Sequence, residues 1–240
     1  MSNDLVGSTR PDPDPDADAG GGPPPAVVEA VAPLLRGWLH QVCFFLSFPA
    51  GLLVVASAPT DRARVAATVY AFGLAALFGV SATYHRRRWS ATARPRMKRL
   101  DHATIFVMIA GSYTPLCLIT LGGRPGGGIL LAVWLAAGTG VIFALTGIAE
   151  RRVIGLVIYI ASGWSMVLML PELAGKLSST DIALLLVGGL LYTVGCIFMG
   201  LRWPDPYPNV FGYHEVWHLM VVAAVICHFL VILTAVRTAV

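Results

Sequence analysis

Phe211-Gly212-Tyr213-His214-Glu215-Val216-Trp217-His218, running on into Leu219-Met220-Val221-Val222-Ala223-Ala224, places two histidines four residues apart at the head of a long apolar run. Apolar residues sustained from here to Val236 predict a helix long enough to cross a bilayer. On such a helix, positions i and i+4 share one face, one turn apart. Two imidazoles so placed can bind one metal ion, for which zinc is the usual candidate. The same residues read H-E-x-x-H, the spacing found in zinc metalloproteases. A zinc site needs a third ligand and a water position, which other parts of the chain must supply.

Composition carries this reading to the whole chain. Of 240 residues, 56% are hydrophobic and only 12% charged, against about 25% charged in an ordinary soluble domain. Apolar stretches of about 20 residues recur, near 39–58, 65–85, 101–121, 128–148, 152–171, 182–201 and 213–236. The expected fold is therefore all-α, a polytopic membrane protein with seven transmembrane helices. Turn or charge signals separate the segments, among them Gly122-Gly123-Arg124-Pro125-Gly126 and Trp203-Pro204-Asp205-Pro206. Cys43, Cys117, Cys196 and Cys227 lie far apart in apolar stretches, so neither a disulfide framework nor a cysteine metal knuckle is expected.

Residues 1–30 differ from the remainder. They hold six acids and one base, with Pro11-Asp12-Pro13-Asp14-Pro15-Asp16 and Gly20-Gly21-Gly22-Pro23-Pro24-Pro25. Such a segment cannot build a core, and a disordered tail is expected ahead of a transmembrane domain spanning 36–240. The tail lacks the basic and apolar regions of a signal peptide, so the first spanning helix is expected to be an uncleaved anchor. From residue 31 onward sixteen Lys/Arg face seven Asp/Glu. In a membrane protein this excess sets topology, and no nucleic-acid partner is implied. With seven helices, the side carrying the N-terminus and the loops after the second, fourth and sixth segments receives twelve Lys/Arg and the other side five. The expected orientation in the cell membrane has the N-terminus cytoplasmic and the C-terminus outside.

That side also collects the polar residues that are costly at membrane depth. His85 ends the second segment, Asp101 and His102 open the third, and His214, Glu215 and His218 open the seventh. Two histidines of one helix and one from another can make a three-nitrogen zinc site with the fourth position open to water. Other readings stand beside this one. His85 can be an interfacial residue beside Arg86-Arg87-Arg88. Asp101 can be an N-cap, and His102 is expected to face solvent or headgroups. Ser81 lies one turn before His85 on its face, where it supports the site or satisfies its own backbone. His40 is expected to be structural, and His228, about 15 Å deeper than His218, a hydrogen-bonded core histidine. Tyr113-Thr114-Pro115 predicts a kink in the third helix.

Three motifs together resemble a known family. Ser81-Ala82-Thr83-Tyr84-His85, then Leu100-Asp101-His102 leading to Ala110-Gly111-Ser112-Tyr113-Thr114-Pro115, then Gly212-Tyr213-His214-Glu215-Val216-Trp217-His218 are similar to the signatures of the hemolysin III family. That family is the bacterial branch of the progestin and adipoQ receptors. The adiponectin receptors are its eukaryotic members and the alkaline ceramidases proposed distant relatives. The resemblance runs from about residue 36 to 236. It implies a seven-helix bundle holding Zn2+ on His85, His214 and His218, with Asp101 holding the water that completes the shell and Ser81 supporting His85. The acidic tail matches nothing in the family pattern.

Three functions follow as expectations. The first is a zinc-dependent hydrolase of lipid amides, ceramidase-like, or a membrane-lipid homeostasis protein, with Asp101 moving the proton and membrane lipids as partners. The second is a non-enzymatic membrane-perturbing, pore-forming or sensor protein with a structural zinc. The third is an intramembrane metalloprotease with Glu215 as base. No substrate or oligomeric state follows from the sequence.

Overall fold

The computed structural model describes residues 32–150 and 152–240. The tail expected over residues 1–30 lies outside the described residues. Helices dominate: α1 Trp38–Ala56, α2 Asp61–Arg86, α3 Ala93–Pro115, α4 Gly123–Leu145, α5 Arg152–Trp164, α6 Ser179–Leu201 and α7 Tyr213–Arg237. Two of them are extended by tighter or wider turns. A π-helical stretch, Leu116–Leu121, continues α3, while a 3-10 turn, Ser165–Met169, and a short helix, Leu170–Ala174, continue α5. Seven helical spans are long and apolar enough to cross a membrane. Among the described residues the sole β feature is an isolated bridge between Tyr207 and Phe211. The chain is an all-helical, multi-pass membrane protein.

Side-chain exposure is that of a bundle in lipid. Phe45, Phe72, Leu131 and Leu168 point outward with 62%, 68%, 62% and 81% of their surface exposed, which an aqueous surface would penalise. Inside, Tyr70, Phe106, Leu116 and Ile232 are fully buried. Lipid tails are as apolar as leucine, so helix association depends on close packing at small residues. Gly73 on α2 and Gly111 on α3 supply one such approach: a Cβ on Gly111 would stand 3.6 Å from the Val69 carbonyl and 3.9 Å from Gly73 Cα. The four cysteines remain unpaired.

Three local differences from the sequence expectation have physical causes. Helix α3 starts at Ala93, two turns before its apolar segment, because the Ser90 hydroxyl and carbonyl accept from the Ala93 amide at 3.2 and 3.1 Å. Asp101 is thus inside the helix and is not its N-cap. Where a kink is expected, Pro115 is followed by a switch to π-helical winding over Leu116–Leu121. The fifth segment is not one continuous helix over 152–171: it tightens at Ser165, whose hydroxyl donates to the Ser162 carbonyl at 2.7 Å, and Pro171 has no amide to continue the ladder.

The fold brings the start of α1, the end of α2, the first turns of α3 and the start of α7 to one end of the bundle. Helix α1 packs along α2, α2 along α3, and α6 along α7. This basic end carries the candidate site.

Candidate metal centre

Each histidine is positioned by its helix end. Helix α2 stays regular through His85 and stops at Arg87, which turns to an extended conformation before the polar loop. Helix α7 begins at Tyr213 because two loop and first-turn carboxylates receive its free amides: Asp205 accepts from Tyr213 N at 2.9 Å and Glu215 accepts from Gly212 N at 2.9 Å. His214 and His218 then occupy its first two turns.

The imidazoles of His85, His214 and His218 converge, with one ligand atom from each lying within 4.8 Å of the others. The Nε2 atoms of His85 and His214 are 3.2 Å apart. That separation fits an imidazole–imidazole hydrogen bond, and it fits two ligands of one ion. A tetrahedral zinc with bonds of about 2.0–2.1 Å holds its nitrogens about 3.3 Å from one another. Ring centroids of 4.7 Å for His85–His214, 5.1 Å for His85–His218 and 4.6 Å for His214–His218 complete the triangle. Three neutral nitrogens with no competing thiolate are a donor set suited to zinc, so the residues present fit that ion. The Asp101 Oδ2 lies 3.7 Å from His85 Nε2, with 15% of its side chain exposed. It stands beside the triangle, where a carboxylate can hold a water or a proton.

Glu215 does not face this cluster as a free base. One carboxylate oxygen is paired with Arg36, which precedes α1, and the other holds the Gly212 amide. Only 4% of the Glu215 side chain is exposed. Its visible work is to fasten the entry of α1 to the first turn of α7. Backbone bonds reinforce this seam, from Leu34 N to Asn209 O at 2.9 Å and from Leu35 N to Val210 O at 3.0 Å.

Two further histidines lie close by, and one expectation, that for His102, is corrected. His40, expected to be structural, is buried against the cluster: its ring stacks on His218 at 3.8 Å and its Nδ1 lies 2.8 Å from the Ser81 hydroxyl. Ser81 therefore reaches the cluster through His40. His102 does not face solvent or headgroups; it is half-buried and lines the internal cavity with Asp101. His228 is half-buried, with Nε2 3.3 Å from the Leu185 carbonyl and well removed from the triangle. Sequence reasoning placed Arg36 at this end but did not link it to Glu215, nor His40 to His218. The parity argument that gathered the other residues contained the signal, because the start of α1 lies on the same side.

The cluster borders a cavity of about 480 Å³ lined by α3, α5, α6 and α7, with His40 of α1 and Leu77 and Ser81 of α2 at its wall. Along α7 its wall runs from His214 to Ile232, about 27 Å of helix. Beyond the polar end the lining is largely apolar, including Ile105, Met108, Leu116 and Leu185. The arrangement can place an amphiphile with its polar group at the histidines and its chain in the bundle interior.

Comparison with known proteins agrees with the motifs. The sequence profile described as Haemolysin-III related matches residues 28–229. Hemolysin-3 of Bacillus cereus is 33% identical over 189 residues, covering 76% of this chain and 81% of that protein. The Hemolysin-3 homolog of Bacillus subtilis (strain 168) is 29% identical over 185 residues, covering 76% and 84%. The human Monocyte to macrophage differentiation factor is 29% identical over 170 residues, covering 69% and 68%. With His85, Asp101, His214 and His218 of its three motifs gathered at one end of a seven-helix bundle and a profile match over most of its length, the chain belongs to the haemolysin-III-related family.

Proposed function

We propose that this protein is a zinc-dependent hydrolase of lipid amides in the cell membrane, its site in the cytoplasmic half and its N-terminus inside. The observation that carries the reading is the convergence of His85, His214 and His218 beside Asp101 at the polar end of a long apolar cavity. Zinc bound there would polarise a carbonyl and bring the pKa of a coordinated water toward about 7. His85, His214 and His218 are its ligands in this reading. Asp101 holds the attacking water and carries its proton to the leaving amine. His40 fixes the plane of His218 by stacking and is itself held by Ser81. The apolar lining below the histidines shelters an acyl chain. The basic end, with its excess of Lys/Arg, is the cytoplasmic side.

The test is release of fatty acid from a panel of N-acyl lipids by the protein in nanodiscs. Activity abolished in Asp101→Asn and retained in Glu215→Gln is the expected result. The reverse pattern would instead favour the H-E-x-x-H protease reading, which the pairing of Glu215 with Arg36 and Gly212 disfavours.

A second reading takes its support from the name of the Bacillus cereus relative, Hemolysin-3. Here the protein perturbs membranes and the metal only stabilises the bundle. It predicts leakage of a trapped dye from liposomes that persists in Asp101→Asn.

A further inference from the structure

We infer that the cavity selects a lipid amide bearing an anionic headgroup, held by Lys98 and Arg202. The inference names the substrate class for the site proposed above and rests on that reading, although binding itself requires no turnover.

Three charged side chains belong to the described cavity wall: Lys98, Asp101 and Arg202. Lys98 precedes Asp101 and His102 by three and four residues on α3, so all three share one helical face. Lys98 thus stands about 4.5 Å further toward the basic end than Asp101. Arg202 ends the stripe of α6 that lines the same cavity, following Tyr192, Cys196 and Met199. The two cations therefore flank the polar end of the chamber from opposite helices. Asp101 is already engaged beside His85, Glu215 is paired with Arg36, and Asp205 accepts from the Tyr213 amide.

The backbone of Arg202 is a second, independent observation. It caps α6 in the left-handed region, φ 56° and ψ 38°, the only described non-glycine residue with positive φ. Glycine is the ordinary occupant of such a cap, and a side chain there costs on the order of 1 kcal/mol. Arg202 is exposed and belongs to the cavity lining, and the planar donors of a guanidinium suit a carboxylate or phosphate. A neutral headgroup offers no counter-charge to the half-buried Lys98 or to the exposed Arg202 at the rim. An anionic one, attached a few atoms from the amide, satisfies them while the acyl chain descends past Ile105 and Met108.

The test compares two probes with the same chain and the same amide, N-oleoylglycine (anionic) and N-oleoylethanolamine (neutral), bound to the full-length protein in phosphatidylcholine nanodiscs. The expected result is at least tenfold tighter binding of N-oleoylglycine. That preference should fall to less than threefold in Lys98→Gln/Arg202→Gln, with binding of the neutral probe unchanged. Arg88→Gln/Arg96→Gln removes two exposed cations from the same end without touching the cavity, and should keep the preference. Equal affinity for the two probes, no binding of either, or loss of the preference in the Arg88/Arg96 variant would overturn the inference. Displacement of N-oleoylglycine by phosphatidylglycerol at equal concentration would assign the cations to bilayer phospholipid and overturn it as well. Failure of the hydrolase reading alone would show differently, as charge-selective binding without turnover.

Discussion

Two groups of polar side chains lie within the helical bundle, and they are built on opposite plans. In the interior, Tyr113 directs its hydroxyl to the Gly163 carbonyl at 3.0 Å and the Ser165 hydroxyl at 2.9 Å. Nearby, Thr114 donates to Ala110 O at 2.8 Å, Ser112 to Met108 O at 2.9 Å, and His228 Nε2 lies 3.3 Å from Leu185 O. Each of these groups has a backbone carbonyl within reach, and each acts as glue between or within helices. At the basic end the histidines do otherwise. His85, His214 and His218 turn their nitrogens toward one another from two helices, with Asp101 from a third alongside. Convergence of acceptors is expensive in a membrane unless something positive sits among them. The contrast separates polar residues that bond helices together from polar residues that converge on one point, as the proposed metal site requires.

Substitutions can break that contrast, beginning with the largest effect. Asp101→Asn removes the carboxylate that the proposed mechanism uses as proton carrier while leaving the three imidazoles in place. Lipid-amide turnover should fall by about 10²–10⁴-fold with bound zinc unchanged, read by fatty-acid release and elemental analysis. Next, Arg36→Ala leaves the buried Glu215 carboxylate without its counter-charge. A destabilisation of about 3 kcal/mol is expected from thermal unfolding in detergent, and Arg36→Ala/Glu215→Gln should recover part of it. Gly37→Ala is smaller and more local. Gly37 has φ 77°, and a Cβ there would come within 2.7 Å of His85 Cβ. The change should cost roughly 1–2 kcal/mol and weaken metal retention by displacing His85, seen as faster zinc loss to a chelator. Smallest is Tyr113→Phe, which deletes interior glue. About 1 kcal/mol of stability should be lost, with zinc content and turnover intact. Metal loss in this last variant would erase the distinction between the two groups.

Much of this was legible in the sequence, for specific reasons. Seven apolar segments of bilayer length gave the spans, since that length is set by the membrane rather than by tertiary packing. His214 and His218 were readable from their four-residue spacing, and His85 with Asp101 from the parity of helix ends. Other features lacked a local signal. Arg36 and Glu215 are 179 residues apart, and no spacing rule links them. His40 has no partner at helical spacing, and its role follows from stacking on His218. Asp101 reads as a cap because apolarity begins there, whereas the helix starts at Ala93 on the Ser90 bonds. The fifth span reads as continuous because its break depends on Ser165 and Pro171 acting together within an unbroken apolar run.

The account rests on the three imidazoles holding one ion, and elemental analysis of the purified protein tests it most directly. Wild type would be measured beside His85→Ala, His214→Ala and His228→Ala, purified without chelators. The account predicts about one zinc per chain in wild type and His228→Ala, and near none in the two cluster variants. Wild-type protein without zinc, or zinc that survives loss of His85 and of His214, would contradict it.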